Sequence, residues 1–399
     1  MNISTETQSF LKRHNFDLNL ADNLNQKIVE DMKKGLTTGG SDQAMIKAGS
    51  AAVGEIKEGE SVIVIDAGGT NFRSSLVTKT KDGIEISDFQ KTSMPAIDRE
   101  LNKKEFYQAI ADNISRLKDR AERISFCFSY AMAITDDGDG KIIRFSKEVK
   151  APEAVGTFLG KELLNELQIQ GWKKIKKINV LNDTTALLLS SFVEDASKKW
   201  SSHIAFILGT GMNSAYIQNK RIIVTECGMF SDLSQSDFDK AVCSRTTQPE
   251  QSLLEKMSSG AYLGEIASEM VKTAAKEGLF SSDFTAPDKF ETKDFDSYFA
   301  KAENSLSPDQ RKIKELLYTI ISRSANLSAQ AIYSAALLSD KEKGELPVCI
   351  TCNGSTFWKT PLLRETTQAQ LKALLQQPFE IIQIDDDITK GSFAAAFIQ

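Results

Sequence analysis

The chain has 399 residues, of which 41% are hydrophobic and 26% are charged. This is long for one hydrophobic core, so two lobes are the expected organisation. The 49 basic and 54 acidic residues give a net charge of −5, which argues against a nucleic-acid or anionic-membrane partner. No apolar run approaches the length of a membrane span, and the N-terminus has no signal-peptide core. We therefore expect a cytoplasmic protein.

Cysteine and histidine usage argues against zinc and hydrolase chemistry. The five cysteines are few and odd in number, which fits free thiols in a reducing compartment. Cys349 and Cys352 form a C-x-x-C, but in the strand predicted there, residues three apart point to opposite faces. The only histidines are His14 and His203, so neither a zinc site nor a Ser-His-Asp hydrolase is supported.

The first 53 residues are predicted to be helical, because their apolar side chains recur at helix-like spacings. Gly35 is the expected C-cap of one helix. The loop that starts at Gly39 and ends at Asp42 is expected to lead into a further helix. The first sheet is predicted to begin after this region, at Ser61.

The stretch from Ser61 to Lys79, SVIVIDAGGTNFRSSLVTK, is the element around which the chain is organised. Its apolar run predicts a buried strand that ends at Asp66, and Gly68-Gly69 predicts the tight turn of a hairpin. Glycine allows a ligand to approach the backbone closely, so the turn amides could hold a phosphate. A phosphate-bound Mg²⁺ could take Asp66 directly or through water. The alternative is a plain hairpin with a surface aspartate.

Three more apolar runs end in short polar turns. These turns are Asn182-Asp183-Thr184, Gly209-Thr210-Gly211 and Asn353-Gly354-Ser355. Four strand-and-turn units of this kind predict strand ends that converge on one cleft. A carboxylate such as Asp183 at a strand end could take the proton of an attacking hydroxyl, and the alternative is a helix N-cap aspartate.

The second half of the chain is predicted to contain two long helices, Ser252–Lys276 and Asp309–Leu338. The C-terminal segment is predicted to form a strand, an acidic turn at Asp385–Ser392 and a helix. Strand-and-turn patterns recur in two groups, near residues 62–79 and 204–225. This recurrence favours a duplicated lobe.

Together these motifs resemble those of the hexokinase family. Asp66–Arg73 is similar to its first phosphate loop, Gly209–Asn213 to its second, and Asn353–Ser355 to its adenosine loop. LNDTTALL around Asp183 is similar to the NDT motif of the family. SLLEKMSSGAYLGEI matches the family stretch Phe-Glu-Lys-Met-x-Ser-Gly-Met-Tyr-Leu-Gly-Glu almost letter for letter.

The resemblance implies an α/β protein with the two-lobed actin-like ATPase (ribonuclease H-like) fold, in which duplicated mixed-sheet lobes flank a cleft. The expected small lobe comprises residues 54–205 and 389–399, and the expected large lobe comprises residues 1–53 and 206–388. The implied activity is that of an ATP-dependent hexokinase, which transfers the γ-phosphoryl group of MgATP to the 6-hydroxyl of a hexose, with glucose favoured. The implied partners are ATP and a hexose, and the implied assembly is a monomer or homodimer.

The resemblance also assigns roles to individual residues. Asp183 is the implied general base, and Arg73 is the second implied catalytic residue. The implied hexose ligands are Ser129, Ser146, Lys147, Asn182, Asp183, Asn213, Glu226 and Glu255. The implied nucleotide ligands are Asp66, Gly68, Gly69, Thr70, Asn71, Arg73, Lys91, Thr210, Gly211, Gly354 and Ser355. Mg²⁺ would arrive with ATP, held by the phosphates and by Asp66 through water.

Some positions in the expected sugar loop and phosphate surroundings depart from the family pattern. They are Ala131, Phe145, Ala186, Met212 and Cys227. One alternative is another kinase or ATPase of the same fold with a glycerol-like or acetate-like substrate, which would lack the segments of the two sugar-binding glutamates. A second alternative is a hexose sensor that kept the site but lost turnover.

Overall fold

A computed structural model describes residues 1–16, 23–145, 148–194, 198–340 and 346–398. The strands are β1 Ile46–Ser50, β2 Ser61–Gly68, β3 Asn71–Thr80, β4 Gly83–Ser93, β5 Arg123–Phe128, β6 Ala131–Ile134, β7 Gly140–Arg144, β8 Lys177–Leu181, β9 Ser202–Leu208, β10 Met212–Gln218, β11 Arg221–Val224, β12 Val348–Asn353 and β13 Phe379–Ile382. The α-helices are α1 Thr5–Arg13, α2 Leu24–Thr37, α3 Lys103–Asn113, α4 Leu159–Ile169, α5 Asp183–Glu194, α6 Asp237–Cys243, α7 Leu253–Lys256, α8 Gly260–Lys276, α9 Asp296–Phe299, α10 Pro308–Leu338, α11 Ser355–Lys359, α12 Leu363–Leu374 and α13 Asp387–Ala395. Within the described ranges, no helix is both long enough and apolar enough to cross a membrane.

The first sheet has five strands in the order β4-β3-β2-β5-β8. β4, β3 and β2 form an antiparallel meander, and β5 and β8 continue the sheet parallel to β2. The residues of Val62–Ile65 are at most 2% exposed, so the predicted buried strand is confirmed. The predicted hairpin is also confirmed, because Gly68 pairs with Asn71 at the β2–β3 turn. The carboxyl ends of β2, β5 and β8 therefore lie at one edge of the sheet.

The second sheet repeats this plan in the order β1-β11-β10-β9-β12-β13. β11, β10 and β9 form an antiparallel meander, and β12 and β13 run parallel to β9. β1 adds an antiparallel strand at the outer edge. The duplication predicted from the two groups of strand-and-turn motifs is thus present in the strand order.

Two helices, α5 and α13, connect the two sheets. The leucines of α5 share a core cluster with apolar residues of β9, β10 and β11, whereas Phe393 and Phe397 pack with valines of β2 and β3. The two helices meet at Gly391, where an added Cβ would lie 1.7 Å from the carbonyl oxygen of Ala186. Only glycine permits such a close approach of two backbones. Because α5 begins at Asp183, this contact also helps to place a candidate catalytic residue.

The 31-residue helix α10 runs through the largest core cluster of the described residues. It starts with a capping box at Ser307 and a proline in its first turn. Its buried Arg323 makes two 2.7 Å hydrogen bonds to Asp239 of α6, and the guanidinium lies 4.1 Å from the ring centre of Phe16. A bidentate carboxylate is the arrangement in which a buried guanidinium is best satisfied.

The N-terminal region is only partly helical. α1 and α2 confirm the helical prediction, but α2 continues past the predicted C-cap at Gly35 and ends at Thr37. The prediction of a further helix is wrong, because the segment after Asp42 forms β1 and pairs with β11. Pairing with a distant strand overrides the local pattern here.

Two later boundaries also differ from the prediction. Ser252–Lys276 forms two helices, because the N–H of Gly260 bonds the carbonyl of Gly209 instead of a carbonyl in the preceding turn. The acidic turn predicted at Asp385–Ser392 is mostly helix, since α13 starts at Asp387. Both differences bring parts of the chain toward the strand ends of the second sheet.

Candidate active site

A row of charged side chains crosses the first sheet. Asp66 on β2 pairs directly with Arg73 on β3, and Arg73 pairs directly with Lys91 on β4. Residues that pair directly on antiparallel strands lie on the same face of the sheet. Arg73 Nη1 donates to Asp66 Oδ2 over 2.7 Å, and Lys91 is exposed. The row therefore places one carboxylate and two cations beside the β2–β3 turn.

The β2–β3 turn is compact and exposed at its tip. Gly69 has a φ of 58°, and both Gly69 and Thr70 are exposed, whereas Asn71 is half-buried. An added Cβ on Gly68 would lie 2.9 Å from the Cβ of Ser129, which directly follows β5. The predicted phosphate loop and the predicted sugar-binding serine are therefore in contact.

Asp183 begins α5 directly after β8. Its Oδ1 accepts from the N–H of Thr184 at 2.7 Å and from the Thr184 hydroxyl at 3.2 Å. The cap of α5 is Asn182, whose Oδ1 accepts from the N–H of Thr185 at 2.8 Å. The N-cap alternative for Asp183 is therefore wrong. Burial raises the pKa of Asp183, the Asp66 carboxylate adds to the rise, and the bonds from Thr184 oppose it.

Asn213 and Glu226 form a reciprocal pair at the second sheet. Asn213 on β10 donates its side-chain N–H to Glu226 Oε1 at 2.7 Å, and its Oδ1 accepts from the N–H of Glu226 at 3.0 Å. Glu226 follows β11 with a φ of 54°, a left-handed conformation that is uncommon for residues other than glycine. Backbone strain of this kind persists where the surrounding structure holds it, often at functional sites.

Glu255 on α7 lies against the β9–β10 turn. Its Oε2 accepts from the N–H of Met212 at 3.0 Å, and an added Cβ on Gly211 would lie 2.7 Å from the same oxygen. A side chain at position 211 would therefore displace the carboxylate. Burial raises the pKa of Glu255, whereas the bond from Met212 and the charge of Lys256 lower it.

The candidate residues of the two sheets face each other. Burial is the main reason why the pKa of Glu226 is raised, and the carboxylates of Asp183 and Glu255 add to the rise. Charge interactions weaken with distance and are screened by salt. The Asp66 charge also contributes to the raised pKa of Asp183, so the carboxylates at the ends of β2, β8 and β11 and on α7 are electrostatically linked.

A cavity of about 430 Å³ lies beside the β9–β10 turn and the start of α11. Thr210 and Ser355, two of the predicted nucleotide ligands, line this cavity. Gly354 has a φ of 112°, and an added Cβ there would lie 2.2 Å from the carbonyl oxygen of Leu208. Three lysines that the sequence analysis did not place in the site also line the cavity: Lys289, Lys293 and Lys359. Glu265, Glu291 and Asp296 line it as well, and Lys293 is paired with Glu291, so the lining carries charges of both signs.

Asp387 is a second feature that the sequence analysis missed. It is 7% exposed and accepts hydrogen bonds from the side-chain N–H of Asn353 and from the N–H of Ile388. It therefore ties the start of α13 to the predicted adenosine loop. Burial raises the pKa of Asp387, the bond from Asn353 opposes the rise, and the Asp66 charge makes a small contribution to it. The acidic run was visible in the sequence, but its place beside β12 depends on the tertiary fold.

Ser146 and Lys147 lie outside the described residues. Phe145, which precedes them, makes edge contacts with the rings of Phe106, Phe128 and Tyr130. The phenylalanine at this departure from the family pattern is thus held in an aromatic cluster.

The other departures lie in different surroundings. Met212 and Cys227 are buried next to Glu255 and Glu226, and burial raises the pKa of the Cys227 thiol to about 12. Ala131 is exposed on β6. Met212 and Cys227 are therefore the departures that border the candidate sugar carboxylates.

The duplicated sheets and the polar residues at their strand ends define the class of this protein as the two-lobed actin-like ATPase fold. The structure is similar to that of the hexokinase from Schistosoma mansoni complexed with glucose, with a TM-score of 0.77 and 21% sequence identity. The similarity covers 98% of this chain and 98% of that chain. The fold predicted from the motifs is confirmed.

The chain belongs to the hexokinase family. Family models described as hexokinase match residues 6–193 and 203–398. Hexokinase-5 from Oryza sativa subsp. japonica is 27% identical over 334 residues, which are 74% of this chain and 64% of that protein. Hexokinase-2 from Equus caballus is 23% identical over 401 residues, which are 88% of this chain and 43% of that protein. This chain thus spans less than two thirds of the length of these relatives.

Proposed function

We propose that the protein is an ATP-dependent hexokinase, which transfers the γ-phosphoryl group of MgATP to the 6-hydroxyl of a hexose, with glucose as the favoured acceptor. The observation that carries this proposal is the half-buried carboxylate of Asp183 directly after β8, whose charge acts on Glu226 beside the second sheet. Membership of the hexokinase family supports sugar phosphorylation. The similar hexokinase from Schistosoma mansoni is complexed with glucose, which supports a hexose as the acceptor.

Asp183 is the proposed general base. Burial raises its pKa, so the ionised carboxylate is a stronger base than an exposed aspartate. Thr184 holds Oδ1, and within the described part of the chain no donor is bonded to Oδ2. We expect Oδ2 to take the proton of the 6-hydroxyl as that oxygen attacks the γ-phosphorus and the bond to ADP breaks.

The hexose is proposed to bind between side chains of the two sheets. The reciprocal Asn213–Glu226 pair and the held carboxylate of Glu255 offer fixed acceptors for sugar hydroxyls. The proposed ligands are Ser129, Ser146, Lys147, Asn182, Asp183, Asn213, Glu226 and Glu255. Ser146 and Lys147 belong to this set on the family resemblance alone.

ATP is proposed to extend from the β2–β3 turn to the cavity beside α11. The turn amides would hold phosphate oxygens, and Arg73 and Lys91 would offset the negative charge that moves during transfer. Adenosine would occupy the cavity of about 430 Å³. The proposed ligands are Asp66, Gly68, Gly69, Thr70, Asn71, Arg73, Lys91, Thr210, Gly211, Gly354 and Ser355.

The residues near the β2–β3 turn fit a Mg²⁺ ion that arrives with ATP. Asp66 offers a hard oxygen ligand, and it is proposed to hold the ion through water. Among the described residues, no group of three or more His, Cys, Asp or Glu side chains could hold a metal ion by itself. That suits an ion that keeps several waters and is bound largely by phosphates. When bound, Mg²⁺ would neutralise charge on the phosphates.

Closure of two lobes completes the proposal. The proposed lobes are residues 54–205 with 389–399 and residues 1–53 with 206–388. Because the proposed sugar ligands come from both, a bound hexose would draw the lobes together and complete the site around Asp183. The five cysteines are free and buried, which supports the proposed cytoplasmic location. The proposed assembly is a monomer or homodimer.

A coupled assay with MgATP and a panel of hexoses, glycerol and acetate tests this function. Hexose-dependent formation of ADP, with sugar 6-phosphate as product, is the expected result. The buried departures Met212 and Cys227 beside the sugar carboxylates favour the hexose sensor as the second candidate. Calorimetric binding of a hexose without any turnover would contradict the kinase proposal and support the sensor. Transfer to glycerol or acetate alone would support a different kinase of the same fold.

A further inference from the structure

Lys256 carries a buried positive charge that has no acidic partner among the described residues. It is 6% exposed, and its Nζ donates to the hydroxyl of Thr246 at 2.9 Å and to the carbonyl of Gln248 at 2.5 Å. By contrast, the buried Arg323 is paired with Asp239 at 2.7 Å. Burying an ammonium without a counter-ion costs free energy. The buried position of Lys256 is therefore unusual.

The hydrogen bonds of Lys256 link the helix that carries Glu255 to the chain before it. Thr246 and Gln248 belong to the segment between α6 and α7, residues 244–252. α7 has only four residues, and a helix this short makes too few backbone bonds to fix its own direction. Lys256 therefore anchors α7, and with it the Glu255 carboxylate, to the 244–252 segment.

The charges around Glu255 are otherwise negative or neutral. The charge of Glu255 acts on Glu226 at the end of β11, and the charge of Asp183 on α5 also acts on Glu226. The phenol of Tyr262 on α8 also feels the charge of Glu255. Burial raises the pKa of Glu255, and the Met212 N–H and the Lys256 ammonium oppose that rise. Of the described charged groups that act on Glu255, Lys256 is the positive one.

We propose that Lys256 is a positioning residue for hexose recognition, which fixes α7 in place and supplies a positive charge next to the Glu255 carboxylate. This inference rests on the proposed function. Lys256 does not itself reach the sugar, because its Nζ is engaged by the 244–252 segment. An ionised glutamate accepts from hydroxyls with both oxygens, whereas a protonated one loses part of that capacity. Without the ammonium, Glu255 would become protonated at a higher pH, and hexose affinity would fall there.

Glucose affinity measured against pH tests this role. Dissociation constants are measured by calorimetry from about pH 5 to pH 8 for the wild type and for Lys256→Met, which keeps the apolar stem. We expect Lys256→Met to weaken glucose binding about tenfold at the acid end, with a smaller loss at the alkaline end, where Glu255 ionises again. Lys256→Arg keeps the charge and should follow the wild-type profile. Lys276→Met, at the exposed end of α8, is the matched control. A loss that is the same at every pH would overturn the ionisation role.

A second measurement needs no sugar and separates this inference from the proposed function. Because the pKa of Glu255 is raised in the folded protein, the folded state keeps this proton at pH values where the unfolded chain has lost it. The free energy of unfolding therefore falls as the pH rises from the unfolded pKa to the folded pKa. Melting curves should show this window extending to higher pH in Lys256→Met, and Glu255→Gln should remove the difference between the two backgrounds. If the wild type neither binds nor phosphorylates any hexose, the proposed function fails, and these curves still decide the role of Lys256. An unshifted window would overturn it. Lys256→Gln, which can still bond Thr246, replaces Lys256→Met if that variant does not fold.

Discussion

Replacing Asp183 by asparagine would remove one charge from the candidate site while keeping the shape of the side chain. The amide oxygen can still accept from the N–H of Thr184, which now lies 2.7 Å from Oδ1, so the start of α5 should stay in place. An amide cannot take the hydroxyl proton, so kcat for hexose phosphorylation should fall by about 10²–10⁴-fold. At 1.36 kcal/mol per factor of ten, this is a loss of about 2.7–5.4 kcal/mol of transition-state stabilisation.

The same variant has a second expected effect, on hexose binding. Burial is the largest cause of the raised pKa of Glu226, and the Asp183 charge is a further cause. Asp183→Asn should therefore lower the pKa of Glu226. Glu226 then stays ionised to a lower pH, and glucose affinity should persist further into the acid range than in the wild type. Affinity near neutral pH should change little, because the neighbouring acceptors remain.

Two assays check these expectations together. A coupled assay gives kcat and KM, and calorimetry gives the glucose dissociation constant at several pH values. Asp82→Asn, in the exposed β3–β4 turn at the opposite end of β3 from the β2–β3 turn, is the matched control. A kcat near the wild-type value would refute Asp183 as the base. A parallel loss of binding and turnover would instead leave Asp183 as a hexose ligand or a structural residue without a role as the base.

Three further predictions follow from the geometry. Glu226→Ala or Glu255→Ala should raise KM for the hexose about ten- to a hundredfold, since a charge-assisted bond is worth about 1.5–3 kcal/mol. KM for ATP should stay nearly unchanged. Equal effects on both substrates would mean that these residues hold the lobes together. Saturating hexose should reduce the radius of gyration in small-angle scattering. ATP hydrolysis without sugar should be orders of magnitude slower than phosphoryl transfer to the hexose. Lobe closure is wrong if neither result is obtained. Gly391→Val should lower the free energy of unfolding in denaturant by about 1–3 kcal/mol or more, because its Cβ would lie 1.7 Å from the Ala186 carbonyl oxygen; an unchanged unfolding midpoint would contradict the close helix contact.

Local signals were sufficient for the strands and turns that form the centre of the fold. The apolar run of β2 and the glycines after it specify a strand and a tight turn within a few residues, and the structure has both. The register that sets Asp66 opposite Arg73 and Lys91 follows from the same hairpins. The duplicated plan was readable because each lobe repeats this local pattern.

Features that depend on distant partners were not readable from the sequence. β1 was predicted as helix because its own residues do not show that β11 will pair with it. Asp387 and the lysines Lys289 and Lys359 come from separate segments, and only the packed fold brings them to the strand ends. The identity of the α5 cap was undecided for the same reason, since adjacent Asn182 and Asp183 are both good capping residues and only coordinates tell them apart.

The distribution of charge gives the proposed transfer a direction. Asp183, Glu226 and Glu255 are each half-buried with a raised pKa, so keeping all three ionised destabilises the empty protein. Such an arrangement persists where function requires it. Of the cations that the structure describes, Arg73 and Lys91 lie beside the β2–β3 turn, and Lys289, Lys293 and Lys359 line the cavity beside α11. A neutral molecule with many hydroxyl donors would stabilise the carboxylates, whereas an anionic acceptor such as acetate would be repelled by them. The phosphates belong at the cationic turn and the polyhydroxy acceptor at the carboxylates, with Asp183 at the boundary where the proton must leave.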